Sequence, residues 1–172
     1  METVTESRLD GAGLDAWRSY LQSHASIMRM LDADLVVEHG MTTRDYEVLL
    51  YLSQAPDHKM AMSALAERTM LTRSGITRLI DGLVASGLIE RVACASDARV
   101  SYAHLTESGY EKLRNAGCAH VRSINRLFLE HFSPAEVEQL AALLSRLPGA
   151  HAGGSCTVES PGAQAEGSCT AE

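Results

Sequence analysis

Two predicted helices near the middle of the chain are separated by only three residues, and this spacing constrains the fold more than any other feature. The first helix is short and runs from Ser63, its predicted N-cap, to about Thr69, with Leu65 facing the core. Thr72 is placed to cap the second helix, which ends before Gly87 at the predicted C′ position. So short a turn between two helices is typical of a helix-turn-helix unit.

Two segments rich in β-branched and aromatic residues follow the second helix. They span 88–93 and 100–105, and the polar segment 94–99 separates them. This pattern predicts a β-hairpin with a polar tip.

Longer helices flank this unit on both sides. Apolar side chains at steps of three or four from Leu14 to Leu35 predict a first helix of about seven turns, too long for a small domain to cover alone. Thr42 opens a second helix with the spacing of a capping box, Thr106 opens a fifth and Ser133 opens a sixth. The apolar stripe of the fifth helix is predicted at Leu113, Gly117, Val121, Ile124 and Leu127/Phe128.

The net charge is −7 over 172 residues, but it is unevenly distributed. Residues 1–58 sum to −6 and residues 127–172 to −5, whereas residues 59–126 sum to +4. The basic segment contains the predicted helix-turn-helix and hairpin, so the acidic total does not exclude a nucleic-acid partner.

Composition narrows the class of protein. Apolar residues make up 45% of the chain, enough for a core, and no apolar run approaches the roughly 20 residues of a membrane span. The N-terminus lacks the basic and apolar regions of a secretory signal. We therefore expect a cytoplasmic protein whose cysteines, Cys94, Cys118, Cys156 and Cys169, are reduced thiols.

Four fragments in register resemble the MarR-type regulators, the multiple antibiotic resistance regulators. They are residues 62–67 (MSALAE), 76–83 (ITRLIDGL), 87–91 (GLIER), and Asp97-x-Arg99 followed by Leu105-Thr106-x-x-Gly109. The resemblance covers roughly residues 14–148. It implies a mainly α fold with a small β-wing, in which a winged helix-turn-helix domain is flanked by long dimerisation helices.

The resemblance also implies a function and a domain organisation. The chain is expected to be a homodimeric transcriptional regulator, a repressor, that binds pseudo-palindromic double-stranded DNA. Residues 14–39 and 106–148 would form the dimerisation helices and residues 42–105 the winged helix-turn-helix. Residues 1–13 are expected to be a flexible N-terminus, and residues 149–172, rich in Gly, Ala, Ser and Thr, a disordered tail.

The start of the fourth helix has the side chains that major-groove reading requires. Short polar residues surround Arg73, whose guanidinium can bond guanine O6 and N7 together. Arg78 lies about 140° further round the helix, which favours a phosphate contact or an internal salt bridge. Arg99 would enter the minor groove, oriented by Asp97. The predicted DNA-binding set is Ser63, Thr72, Arg73, Ser74, Gly75, Thr77, Arg78, Arg91, Asp97 and Arg99.

The resemblance further implies a small-molecule effector, anionic or phenolic, in a crevice beside the dimerisation helices. Residues that could line it are Trp17, Tyr20, His24, Arg44, Tyr46 and His120. Two alternatives stay open: a winged adaptor for protein–protein contact, and a regulator that responds to thiol oxidation. No catalytic motif and no metal-ligand spacing is present, so neither an enzyme nor a cofactor or metal site is expected.

Overall fold

Six α-helices and three short strands make up the described residues of the computed structural model, which are 10–93 and 100–149. In chain order they are α1 Gly11–His39, α2 Thr43–Gln54, β1 Lys59–Ala61, α3 Met62–Arg68, α4 Arg73–Ala85, β2 Ile89–Ala93, β3 Ser101–Leu105, α5 Glu107–Leu127 and α6 Pro134–Leu144. Single 3-10 turns occupy Pro56–His58 and Leu129–His131. The predicted order of helices and hairpin is confirmed.

The predicted caps explain where most helices begin and end. The Thr42 hydroxyl accepts the Asp45 N–H at 3.1 Å while the Asp45 carboxylate accepts the Thr42 N–H at 2.8 Å, which is a complete capping box. Ser133 and Glu136 form a second one. Gly40 ends α1 in the left-handed conformation, with φ of 61°.

The prediction that Ser63 caps α3 is wrong. The helix begins at Met62, and its N-cap, Ala61, makes no side-chain cap bond. The reason is a strand that the sequence reading missed: residues 59–61 pair with β3, and the chain passes directly from this strand into the helix. The sheet has the order β1-β3-β2 and is antiparallel throughout.

The predicted apolar stripe of α5 is confirmed at Leu113 and Leu127 and is wrong at Val121 between them. The buried positions are Ala116, Ala119, Ser123 and Leu127, and Val121 is exposed. Most side chains on this face are small, and α5 packs against both α1 and α2. The contact of Ser123 with α1 is polar: its hydroxyl donates to the Asp34 carboxylate at 2.6 Å.

Two predicted boundaries also shift. Residues 11–13 belong to α1 and are not part of a flexible segment. Helix α6 ends at Leu144, before residue 148, where the predicted dimerisation helices end. The expected disorder of the tail concerns residues 150–172, which lie outside the described residues.

The core lies between α2, α3, α4, α5 and the sheet. Leu49, Leu52, Leu65, Ile80 and Leu113 are fully buried in it. Helix α1 adds Leu35 to this cluster, and α6 has no buried residue.

The end of α4 and the start of α5 are joined by a compact polar contact. The hydroxyls of Thr106 and Ser108 each donate to the Gly87 carbonyl at 2.8 Å. A Cβ at Gly109 would overlap the Leu88 carbonyl oxygen and come within 2.8 Å of Leu105 Cδ1. Glycine is therefore required where α5 crosses the end of β3.

Candidate nucleic-acid interface

The first turn of α4 is built by its N-cap. Thr72 Oγ1 accepts the Gly75 N–H at 3.1 Å, and the Thr77 hydroxyl donates to the Arg73 carbonyl at 2.8 Å. Three buried side chains on the opposite face, Ile76, Ile80 and Leu83, anchor the helix to the core. The polar face of α4 is thereby held outward in a fixed orientation.

Six side chains of this polar face line one open groove. They are Thr72, Arg73, Ser74, Thr77, Arg78 and Asp81. Arg73 and Arg78 are both exposed, and within residues 10–93 and 100–149 neither forms an ion pair. Two available guanidinium groups beside short hydroxyl side chains are suited to contact base edges and phosphates.

Gly75 has a local structural role. A Cβ at this position would lie 3.2 Å from Thr72 Oγ1, the atom that caps the helix. The small residue therefore accommodates the cap, a reason for glycine that is independent of close approach by DNA.

The structure describes two of the four remaining predicted DNA-binding residues, and they lie on different elements. Ser63 is exposed in the first turn of α3. Arg91 extends from β2 to α4, where its Nη2 lies 2.7 Å from Asp81 Oδ1 and donates to the Thr77 carbonyl at 3.4 Å. Asp97 and Arg99, which follow β2 and precede β3 in the sequence, lie outside the described residues.

Sequence reasoning missed Asp81 as a member of this surface. Its position four residues after Thr77 was a usable signal, because residues four apart share a helix face. Its pairing with Arg91 depends on how the sheet packs on α4, and no spacing in the sequence reveals that.

The six predicted effector residues do not come together as one set within the protomer. Trp17, Tyr20 and His24 stack along α1, with successive ring centroids 6.1 Å apart. Tyr46 of α2 contacts His120 of α5, with ring centroids 4.6 Å apart.

Arg44, the sixth member of the predicted effector set, lies at the helix-turn-helix. Its Nη1 donates to Glu47 at 2.9 Å and to the Thr69 carbonyl at 3.3 Å. Its guanidinium therefore connects α2 to the end of α3.

His120 is the unusual member of the effector set. Its Nδ1 is buried and has no hydrogen-bond partner among the described residues. Burial lowers the pKa of its imidazole below the usual histidine value. The side chain is thus held neutral between α2 and α5 with one polar atom unsatisfied.

Two properties of the described residues bear on other functions. No helix there is long and apolar enough to cross a membrane. Residues 10–93 and 100–149 also contain no group of three or more His, Cys, Asp or Glu side chains that could hold a metal ion.

Comparisons with known proteins identify the family. A MarR family model matches residues 39–100. The chain is 33% identical over 115 residues to YkoM, an uncharacterized HTH-type transcriptional regulator of Bacillus subtilis, covering 67% of this chain and 72% of the relative. It is 34% identical to AbsC, a MarR family transcriptional regulator from Streptomyces coelicolor, whose crystal structure superposes with a TM-score of 0.73 over 80% of this chain and 92% of AbsC. This chain belongs to the MarR family.

Family membership confirms several predictions together. MarR proteins are transcriptional regulators, so the chain is a regulator and not an enzyme. The mainly helical fold with a winged helix-turn-helix is the MarR fold. A second MarR structure, Sco3205 from Streptomyces coelicolor, was solved in complex with DNA; it is 28% identical with a TM-score of 0.74, over 80% of this chain and 89% of Sco3205.

Proposed function

We propose that this chain is a homodimeric repressor whose two α4 helices read the half-sites of a pseudo-palindromic duplex in the cytoplasm. The groove at the capped start of α4 carries the proposal, because it presents Arg73 and Arg78 without ion-pair partners among the described residues. Two relatives support it. Sco3205 was crystallised with DNA, and YetL of Bacillus subtilis, 29% identical over 117 residues, is a transcriptional repressor.

The dimer part of the proposal rests on apolar side chains that the protomer leaves uncovered. On α1, Trp17 is 50% exposed and Leu21 lies one turn away, also exposed. On α6, Leu143 is 54% exposed, and Leu147 just beyond the helix is exposed too. Two copies that pack these helices together would bury both surfaces, and a two-fold dimer presents two reading helices to two half-sites. In this proposal the dimer is formed by residues 14–39 and 106–148, and DNA is bound by residues 42–105.

The hairpin supplies a second contact in this proposal. Arg99 at its tip would enter the minor groove beside each half-site, with Asp97 orienting the guanidinium. The basic balance of residues 59–126, which include α4 and the hairpin, suits a surface that faces phosphate.

Binding-site selection from a random duplex library tests the reading surface. With wild-type protein as reference, Arg73→Ala should cost about 1–3 kcal/mol per half-site and relax preference at one or two symmetric base pairs. Arg99→Ala should weaken binding by a similar amount and change preference only in A·T-rich flanks. Arg146→Ala, an exposed arginine beyond α6, is the matched control and should leave the selected site unchanged.

An unchanged profile and affinity for both test variants would exclude α4 and the hairpin as the DNA surface. The chain would then fit the protein-binding adaptor better.

An effector that lowers DNA affinity is the third part of the proposal. The unsatisfied Nδ1 of His120 beside Tyr46 supports it, because a polar ligand could supply the missing hydrogen bond between α2 and α5. The probe is 4-hydroxybenzoate, an anionic phenol. It should raise the unfolding temperature of wild-type protein and release it from DNA, and His120→Phe should abolish both effects. If millimolar 4-hydroxybenzoate produces neither effect, that result contradicts this ligand class.

A further inference from the structure

One anionic side chain faces the groove that is proposed to bind DNA. Asp81 lines it together with Arg73 and Arg78, and its side chain is 61% exposed. A carboxylate there opposes the approach of phosphate, because like charges repel across a short distance. A carboxylate in this groove therefore needs a function other than binding phosphate.

The partner of Asp81 is a third arginine, Arg91, which does not line the groove itself. Arg91 extends from β2, its side chain is 38% exposed, and its Nη2 lies 2.7 Å from Asp81 Oδ1. The same nitrogen donates to the Thr77 carbonyl within the groove-lining turn of α4. One carboxylate thus holds one guanidinium against the helix instead of leaving it for phosphate.

This arrangement acts unequally on two kinds of DNA binding. Non-specific binding comes from neutralised phosphates, so each cation withheld from the backbone weakens it. Specific binding also uses base-edge contacts, which the proposal above assigns to Arg73 and which the Asp81–Arg91 pair leaves in place.

We propose that Asp81 is a specificity-determining residue that lowers non-specific DNA affinity by pairing with Arg91 and by placing a negative charge in the reading groove. This inference rests on the proposed DNA-reading function of α4. It assigns the carboxylate a role that opposes binding to any duplex and thereby increases the preference for the selected site.

The test compares three variants in the full-length protein: Asp81→Asn, Asp81→Asn with Arg91→Gln, and Glu90→Gln. Glu90 is the matched control, because it precedes Arg91 on β2, faces the other side of the strand, and lies 4.0 Å from His104. Its variant removes the same charge at a different place. Affinity for the selected site and for a scrambled duplex of equal length is measured at several salt concentrations.

Asp81→Asn should bind the scrambled duplex several-fold more tightly, and its log–log salt dependence should steepen by about 0.9 per protomer as Arg91 gains a phosphate. The selected site should gain less, so the ratio of the two affinities falls. The double variant should return the salt slope to the wild-type value, and Glu90→Gln should leave slope and ratio close to wild type.

A purely structural role for the pair gives the opposite result. Asp81→Asn would then lower the unfolding temperature and weaken binding to both duplexes without steepening the salt slope, and that result would overturn the proposal.

Retention on heparin, a polyanion without base sequence, separates this inference from the proposed function. Later elution of Asp81→Asn, with wild-type protein selecting no DNA site, would support the electrostatic role and refute sequence reading. Unchanged elution, with a selected site for the wild type, would refute the role of Asp81 alone.

Discussion

The winged domain buries most of its large apolar side chains within one chain, whereas α6 and the N-terminal half of α1 fully bury none of theirs. Leu49, Leu65 and Ile80 are fully covered by other parts of the protomer. Helix α6 has no buried residue, and on α1 the first buried residue is Leu31. The winged domain therefore has a complete apolar core, whereas the apolar surfaces of α6 and of the N-terminal half of α1 are only partly covered within the protomer.

This difference shows which part of the chain can be stable alone. Burying an apolar side chain stabilises by about 1.5–3 kcal/mol, so the winged domain gains its stability from contacts already present. The terminal helices can gain theirs only from a further surface. A second copy is the surface that the proposed function supplies.

The junction between the winged domain and the start of α5 gives the largest expected effect. Gly109→Ala would force a Cβ against the Leu88 carbonyl, so the free energy of unfolding should fall by about 3 kcal/mol, the upper part of the range for overpacking. Urea denaturation measures this. Gly82→Ala is the control, since a Cβ there meets no atom within 4 Å and should stabilise α4 by about 0.5–1 kcal/mol. Equal stabilities for the two variants would show that the junction is not close-packed.

A charged substitution on α6 tests whether its exposed apolar surface is a dimer interface. Leu143→Asp should weaken association of two copies by about 3 kcal/mol, because it would bury an unpaired carboxylate. Sedimentation equilibrium measures the dimer dissociation constant. Met70→Asp is the control: Met70 is an exposed apolar residue of the winged domain, and its replacement should leave the dimer intact. If Leu143→Asp dimerises like wild type, α6 is not an interface helix.

His120 makes the contact between α2 and α5 sensitive to acid. Burial lowers the pKa of its imidazole, so the unfolded chain binds the proton more tightly than the folded one. Stability should therefore fall as the pH drops below about 6.5, by about 1.4 kcal/mol for each unit of pKa depression.

Thermal unfolding between pH 8 and pH 5 checks this, with two variants. His120→Phe should reduce the loss, whereas Tyr46→Phe keeps the imidazole and should retain it. An identical pH profile for His120→Phe and wild type would contradict the assignment.

The smallest effect is a change in DNA affinity on removal of residues 150–172, which belong to neither region. Ending the chain at Gly149 removes three acidic residues and no lysine or arginine. The proposed DNA contacts all lie within residues 42–105, and salt screens charges that do not contact the DNA, so DNA affinity should change about twofold or less. Electrophoretic mobility shift at physiological salt measures it. A large loss, or an oxidation-dependent difference that disappears on truncation, would instead favour a thiol-responsive regulator using Cys156 and Cys169.

The sequence predicted what local chemistry determines. Thr42, Thr72 and Thr106 cap their helices as expected because a cap depends on neighbours three residues away. Strand β1 was missed because three residues carry no clear alternation, and their pairing with β3 is long-range. The buried face of α5 was misplaced between Leu113 and Leu127, because Ala116, Ala119 and Ser123 form it there and the periodicity of large apolar residues does not show them.

The candidate site likewise has one part that the sequence predicts and another part that it does not. Arg73, Ser74 and Arg78 could be placed on one exposed surface from helix spacing alone. The pairing of Arg91 with Asp81 could not, since it joins a strand to a helix across the domain. Arg44 was grouped with Tyr46, yet two residues apart on a helix place side chains on different faces.

The most direct test of the account is the symmetry of the DNA sequence that wild-type protein selects from a random duplex library. Two winged domains joined through α1 and α6 predict an inverted repeat bound by two protomers, with half-sites about 10 base pairs apart or a multiple of that. A single asymmetric site bound by one protomer would contradict the dimer. Failure to enrich any sequence would contradict DNA reading by α4.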